Sequence, residues 1–345
     1  MLDFYMKDGW DKKDVALELP TGSGKTLIGL LIGEYRRVTQ NELVVYLCPT
    51  KQLVNQVVEQ SKIKYGIKTH AFTGSQAEYS QIAIAEYTNG SAIAVTTYSS
   101  LFNTNPFFKT PDLIILDDAH SAENYISSFW SLNIIRKDHK ALFLNFIEAS
   151  KELLDASVYQ RLINDSPSPE DMQWIDKIPI PLMYSFLNDL INILDAYCPS
   201  TKLKYTWSMI RDHLHACCIY VSWSSILIRP IIPPTLTHQP FNHAKQRIYM
   251  SATLGVSGEL ERITGIHNIN RLEIPSGWDK KGLGRRFFIF PSTVLDESAV
   301  NDLFINIIKH VNRSLVLVPD DESAELISDI VTNEANLKVF SSSDI

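Results

Sequence analysis

Near the start of the sequence, a strand pattern, a glycine-containing loop and a helix pattern follow one another directly. A short apolar run, VALELP (15–20), favours a buried strand, and KTLIGLLIGEYRRV (25–38) has apolar residues at helical spacing. The residues between them are Thr21, Gly22, Ser23 and Gly24. Glycines let a backbone wrap closely around a bound group, and a helix N-terminus favours anions. Strand, glycine loop and helix together predict an α/β sheet with an anion site at a strand end.

The end of this loop has the pattern of a phosphate-binding loop. Gly24, Lys25 and Thr26 match the end of G-x-x-x-x-G-K-[ST], although Leu19 stands where that pattern begins with glycine. We expect Lys25 to reach the terminal phosphates of a nucleotide and the Thr26 hydroxyl to hold Mg²⁺. The alternative is a strand-to-helix turn without a ligand, which the agreement of all three patterns disfavours.

Strand and helix patterns then alternate as far as residue 120. Apolar runs at 43–50, 91–101 and 111–120 predict strands, while 51–66 and 76–90 predict helices. A short strand is also predicted at 68–74. This alternation predicts a parallel sheet with helices on both faces.

The apolar run PDLIILDDAH ends in two carboxylates. Ligands of parallel sheets bind beyond the carboxyl ends of the strands, so Asp117 and Asp118 are predicted to share a site with the glycine loop. Asp117 would hold Mg²⁺ next to Thr26, and Asp118 would orient or deprotonate the attacking water. His120 is predicted to sense the nucleotide. The alternative is a solvated acidic turn, which the upstream loop disfavours.

The composition gives no sign of a strongly basic, a disulfide-rich or a membrane-spanning protein. The net charge of −7 over 345 residues gives no global basic signal, although a local groove for nucleic acid stays possible. Four cysteines give no disulfide framework, which favours an intracellular, reducing compartment. The N-terminus has no apolar signal core, and no apolar stretch reaches the roughly 18 residues of a membrane span, so no membrane partner is expected.

The pattern changes after residue 120. Residues 121–245 are rich in helical periodicity and punctuated by prolines, and QRIYMSATL (246–254) then returns to a buried strand. Later apolar runs at 287–292, 314–320 and 337–343 predict three further strands. They have room for only part of a second α/β domain.

Five segments carry a family resemblance: ELPTGSGKT, CPTKQL, VTTYSSL, LDDAH and MSATL, in this order. Together they resemble motifs I, Ia, Ib, II and III of superfamily 2 helicases of the DEAD/DEAH type. The form E-x-P-T-G-S-G-K-T is most similar to the XPD/DinG branch, and helicase loops often lack the first glycine. The resemblance implies an α/β fold: a RecA-like P-loop NTPase domain (1–120 plus 246–272), a mostly helical insertion (121–245) and an incomplete second RecA-like domain (273–345).

The resemblance also implies roles for individual residues, with ATP and Mg²⁺ as cofactors. The implied cofactor-binding residues are Thr21, Gly22, Ser23, Gly24, Lys25 and Thr26. The implied catalytic residues are Lys25, Asp117, Asp118 and His120, and Thr26 and Asp117 are the implied Mg²⁺ ligands. Near the single-strand path lie Pro49, Thr50, Lys51, Thr96 and Thr97, and hydrolysis is coupled to movement through Ser251, Ala252 and Thr253.

Three departures from the family pattern matter. Asp118 stands where the family usually has glutamate, and the shorter side chain predicts slower turnover. Only Cys48 lies between motifs I and II, so no iron–sulfur cluster is expected. Motifs V and VI are not visible, so a fragment of a longer helicase is expected, and a chain that does not hydrolyse ATP on its own stays an open alternative.

Two weaker signals lie in the insertion. His213, His215, Cys217 and Cys218 could form a zinc site, but buried helix residues are favoured. The aromatic residues that could stack on bases are Trp207, Tyr220 and Trp223. We favour core positions for them.

The leading prediction is an ATP-dependent helicase or translocase on single-stranded nucleic acid, with DNA favoured by the branch resemblance. Three alternatives stay open: a motor subunit of a restriction or defence complex that translocates without unwinding, a nucleotide-binding scaffold deficient in hydrolysis, and a small-molecule P-loop kinase. The kinase is disfavoured because it gives no role to MSATL or to residues 121–245. That insertion could also bind protein partners.

Overall fold

The computed structural model describes residues 1–20, 22–255, 258–273 and 288–340. The chain divides into two compact units, Met1–Gly282 and Leu283–Ile345, which are described separately.

The described residues contain eleven strands, all of them in the first unit. They are β1 (Asp14–Glu18), β2 (Val44–Cys48), β3 (Thr69–Phe72), β4 (Ile93–Thr97), β5 (Leu113–Asp117), β6 (Leu132–Ile135), β7 (Ile175–Ile178), β8 (Cys217–Ser222), β9 (Ser225–Pro230), β10 (Gln246–Ser251) and β11 (Asn270–Leu272).

Helices connect these strands along the first unit. They are α1 (Leu2–Phe4), α2 (Lys25–Gln40), α3 (Lys51–Gln60), α4 (Gln81–Thr88), α5 (Tyr98–Leu101), α6 (Ala122–Ser128), α7 (Lys140–Ala149), α8 (Ala156–Ile163), α9 (Pro169–Gln173), α10 (Ile180–Met183), α11 (Leu187–Tyr197), α12 (Lys204–Ile210), α13 (Gln239–His243) and α14 (Glu259–Thr264). The strands and helices predicted before residue 120 are therefore present, each within a few residues of its predicted bounds.

Seven strands form one parallel sheet in the order β11-β1-β10-β5-β2-β4-β3. Residue pairs such as Glu18 with Ser251 and Met250 with Asp117 lie side by side at the ends of their strands. Since the strands are parallel, their carboxyl ends meet at one edge. The glycine loop and both carboxylates lie at this edge.

Both faces of the sheet are buried, which explains the continuous apolar runs in the sequence. On β2, Val44 and Tyr46 pack in a cluster with the apolar residues of α2 and α3. Val45 and Leu47 point to the other face and pack in a cluster that includes the apolar residues of the insertion. The insertion therefore covers one face of the sheet.

The insertion contains a sheet that the sequence analysis did not predict. Four antiparallel strands lie in the order β6-β9-β8-β7, among helices α6 to α13. The prediction of buried helix residues at 213–218 is wrong. His213 and His215 are exposed in a 3₁₀ turn, and Cys217 and Cys218 are buried on β8. Among the described residues, no group of three or more His, Cys, Asp or Glu side chains could hold a metal ion.

The second unit has two helices among its described residues, α15 (Glu297–His310) and α16 (Asp321–Ile330). Asp296 and Asp320 cap them by accepting hydrogen bonds from Ala299 N and Ser323 N. Positions 287 and 341–343 of the predicted strands lie outside the described residues, and the described parts of those segments form no strand.

The failure of these strand predictions has a physical reason. Leu315 and Leu317 are each 85% exposed, and a strand needs a neighbour for its backbone hydrogen bonds. An apolar run alone does not supply that neighbour. The predicted second RecA-like domain at 273–345 stays a prediction, as do the other predicted domain bounds.

No helix in the described part of the chain combines the length and the apolar character that a membrane span requires.

Candidate active site

The glycine loop between β1 and α2 owes its shape to two left-handed residues. Gly22 and Gly24 have φ angles of 81° and 82°, a region that L-residues rarely adopt. A Cβ added at either glycine would meet nothing within 4 Å, so backbone conformation and not space requires glycine there. Gly24 directly precedes Lys25, the first residue of α2, whose first-turn N–H groups have no partners within the helix.

Ser23 supports the presence of a ligand in this loop. Its Oγ atom is buried and has no hydrogen-bond partner among the described residues. A buried hydroxyl without a partner carries a desolvation cost, which a phosphate oxygen would relieve by accepting a hydrogen bond from it. The loop residues therefore fit a nucleotide phosphate. Thr21, which is also predicted to bind the cofactor, lies outside the described residues.

Lys25 and Asp118 form an ion pair across the site. Lys25 Nζ donates to Asp118 Oδ1 at 2.7 Å, and the two side chains are 18% and 34% exposed. Asp118 has a φ of 50°, which is uncommon for a residue other than glycine. The pair joins the loop after β1 to the end of β5. A phosphate group and this carboxylate would therefore compete for the same ammonium group.

Two donors fix the carboxylate of Asp117. Tyr46 Oη donates to Oδ2 at 2.8 Å, and the backbone N–H of Asp118 donates to Oδ1 at 3.0 Å. Tyr98 Oη donates to the backbone oxygen of Asp117 at 2.7 Å. Burial raises the pKa of Asp117 above its usual value, and the hydrogen bond from Tyr46 acts in the opposite direction.

His120 connects the end of β5 with the end of β10. Its Nδ1 atom and Ser251 Oγ are hydrogen-bonded at 2.5 Å. Ser251 Oγ also donates to the backbone oxygen of Thr253 at 2.9 Å. Ala252 and Thr253 follow directly and are at least partly exposed. The predicted catalytic and coupling segments are therefore in direct contact.

The residues predicted to lie near a single strand have different environments. Thr50 and Lys51 are exposed at the end of β2, and Pro49 is partly exposed. Thr50 Oγ1 accepts from Leu53 N and so caps α3, which leaves the hydroxyl proton free to donate.

The prediction that Thr96 could hydrogen-bond a phosphate is wrong. Thr96 is fully buried, and its hydroxyl donates to the backbone oxygen of Phe72 at 2.6 Å. Thr97 is 8% exposed, and its hydroxyl lies 3.1 Å from Ser99 Oγ. Ser99 itself is exposed at the same edge, so it is better placed for such a contact than Thr96.

Sequence reasoning missed the two tyrosines that bind Asp117. Tyr46 and Tyr98 lie in or beside buried apolar strands, where a tyrosine normally indicates core packing. Among the aromatics of the insertion, Trp207 is buried and donates to Asp195 Oδ1, as a core residue does. Trp223 donates to the backbone oxygen of Asn164.

Residues 5–144 match the family model of the DEAD/DEAH box helicases. This segment is similar to a DEAD/DEAH box helicase domain. The predicted RecA-like fold is confirmed by the family match and by the seven-stranded parallel sheet. Helicases of this family use ATP and Mg²⁺, the ligands for which the site was predicted.

Several solved structures are similar to the chain. An XPD structure in the apo form has a TM-score of 0.43 and 18% identity, over 75% of this chain and 54% of that one. Xpd4 of S. tokodaii has a TM-score of 0.49 and 17% identity, over 96% and 72%. The Hef helicase domain of Pyrococcus furiosus has a TM-score of 0.37 and 16% identity, over 94% and 50%.

The chain thus spans about half the length of the first of these proteins. No curated protein sequence matches it.

Proposed function

We propose that this chain couples ATP hydrolysis to movement along single-stranded nucleic acid, with DNA as the track. The observation that carries the proposal is the meeting of Lys25, Asp117 and Asp118 at the carboxyl edge of the sheet, beside a left-handed glycine loop. Phosphate-binding loops work through this combination of loop amides, a lysine and a metal-holding carboxylate.

Each group has a defined task in this proposal. The loop amides and Lys25 bind the phosphates, while Thr26 and Asp117 hold Mg²⁺, which supplies charge neutralisation on the β- and γ-phosphates. In this proposal a phosphate competes with Asp118 for the ammonium of Lys25 and weakens the bond between the two side chains. Asp118 is then free to orient the attacking water. Its short side chain favours a slow reaction.

The contact between His120 and Ser251 supports coupling. His120 lies two residues after Asp118 and is hydrogen-bonded to Ser251, so in this proposal it transmits a change at Asp118 to the segment that begins at Ser251. The path of the single-stranded nucleic acid runs along the same edge of the sheet in this proposal, beyond the ends of β2 and β4. Thr50, Lys51 and Ser99 are exposed there. Hydroxyl and ammonium donors of this kind grip a phosphate backbone without selecting a sequence.

A second candidate function is nucleotide binding without turnover. The described residues of the second unit contain no strand, so they give no sign of the second RecA-like domain that would complete the reaction. In that case the chain would bind ATP tightly and release it unchanged.

Steady-state ATP hydrolysis with and without single-stranded DNA or RNA tests the proposal, together with titration of a fluorescent ATP analogue. Lys25→Ala is the matched control, because it removes the ammonium from the phosphates. We expect nucleotide binding in the native chain, a large loss of affinity in Lys25→Ala, and turnover that single-stranded DNA stimulates. Unchanged affinity in Lys25→Ala contradicts the site. Binding without turnover favours the second candidate, and stimulation by RNA alone contradicts DNA as the track.

A further inference from the structure

Tyr46 occupies an unusual position in the middle of a buried strand. It lies in β2, beside Ile115 of β5, and its side chain is fully buried. The hydroxyl reaches the end of β5 and donates to Asp117 Oδ2 at 2.8 Å. An apolar phenylalanine would fill the same space, so the hydroxyl itself calls for an explanation.

The ring of Tyr46 is held against helix α2. A Cβ added at Gly29 would lie 3.0 Å from Tyr46 Cε2, so the backbone of α2 approaches the ring closely at this glycine. The same helix carries Thr26 in its first turn. Tyr46 therefore connects β5, through its hydroxyl, with α2, through its ring.

The hydrogen bond selects one orientation of the Asp117 carboxylate. Oδ2 accepts from Tyr46, and Oδ1 accepts from the Asp118 backbone. Each carboxylate oxygen has a second lone-pair site, so both oxygens keep capacity for a cation. Donors to a metal ligand fix its direction and tune the site.

We propose that Tyr46 is a positioning residue for the divalent cation, because its hydrogen bond fixes the orientation of the Asp117 carboxylate. This inference rests on the proposed function, since it concerns the same Mg²⁺ site. Tyr46 does not touch the nucleotide. It acts through the carboxylate that binds the metal.

The test compares Tyr46→Phe with Tyr98→Phe. Both variants remove one hydroxyl from a fully buried tyrosine that donates to Asp117, but Tyr98 donates to the backbone oxygen and Tyr46 to the carboxylate. The affinity for a fluorescent ATP analogue is measured over a series of Mg²⁺ concentrations and in EDTA. Thermal unfolding of both variants monitors the fold.

For Tyr46→Phe we expect the Mg²⁺ concentration at half-maximal effect to rise by about tenfold or more, the usual range for loss of such a partner. Its affinity in EDTA should equal that of the native chain. Tyr98→Phe should keep the native Mg²⁺ dependence, even if it unfolds at a lower temperature.

Two results would overturn the inference. One is a native Mg²⁺ midpoint in Tyr46→Phe, and the other is an equal shift in Tyr98→Phe, which would indicate a general structural effect. A native chain that binds nucleotide without any Mg²⁺ dependence would instead contradict the proposed metal site itself. The failure of the inference and that of the proposed function are thus distinguishable.

Discussion

Replacement of Asp118 by asparagine should change nucleotide binding and hydrolysis in opposite directions. In the structure Lys25 is bound to the Asp118 carboxylate at 2.7 Å, so a phosphate competes with that carboxylate for the charge of the lysine. The neutral amide of the Asp118→Asn variant would lack the charge that holds Lys25. The variant should therefore bind ATP more tightly, although it has lost the group proposed to orient water.

The exposure of the pair sets the size of the gain in affinity. A buried hydrogen bond to a charged group stabilises a protein by about 1.5–3 kcal/mol, and an exposed ion pair by about 0–1 kcal/mol. With side chains 18% and 34% exposed, the pair lies between these cases. We take about 1 kcal/mol, which corresponds to roughly fivefold tighter binding. Turnover should fall by about a hundredfold or more, because a general base contributes that much.

The assay is titration of a fluorescent ATP analogue, with steady-state hydrolysis beside it. Asp118→Glu is the matched control, since it keeps the charge and should bind nucleotide as the native chain does. Repeating Asp118→Asn in a Lys25→Ala background isolates the mechanism. The gain should vanish there if it comes from releasing Lys25, and it should persist if the carboxylate only repels phosphate. Unchanged or weaker binding by Asp118→Asn would refute the reasoning.

Two further predictions concern stability. Asp14→Ala should lower the free energy of unfolding by about 3–5 kcal/mol in urea, because it leaves the buried guanidinium of Arg247 without its two 2.7 Å partners. Glu86→Ala removes the contacts of a partly exposed carboxylate with Lys68 and His70, which water screens, so it should lower that free energy far less. Equal losses would contradict the role of burial. Burial lowers the pKa of His238 in the folded protein below the value of 6.5 in the unfolded chain. The neutral side chain of His238 therefore contributes fully to stability above pH 6.5, and this contribution is lost as the pH falls through the pKa of the folded state. His238→Gln should weaken the decrease in melting temperature below pH 6.5, and an unchanged decrease would show that other groups cause it.

The sequence predicts the parallel sheet well because its signals are local and mutually consistent. Apolar runs such as those of β2 and β5 end in turn residues and alternate with helical periodicity, which leaves few possible topologies. The glycine loop and the two aspartates then fall at one edge because parallel strands share their direction. Neither inference needs knowledge of distant contacts.

The missed features depend on contacts between distant residues. Strands β8 and β9 form a hairpin. Their sequences, CCIYVS and SILIRP, are separated by only a Trp-Ser dipeptide, a pattern that indicates a hairpin. The helical periodicity of the neighbouring segments obscured this pattern. The role of Tyr46 depends on its distance from Asp117, which a sequence does not contain. The apolar run at 314–318 has the composition of a strand, but it has no neighbouring strand to pair with among the described residues.

The shared core of the first unit has a consequence for how the protein unfolds. Ala16, Val45 and Ile114 of the parallel sheet belong to the same apolar cluster as Phe143 and Ile219 of the insertion. Removal of residues 121–245 would leave one sheet face open to water, so the insertion is not a detachable module. We expect the parallel sheet and the insertion to melt in a single cooperative transition. Substitutions far from every motif can then abolish nucleotide binding by shifting the folding equilibrium, without touching the site.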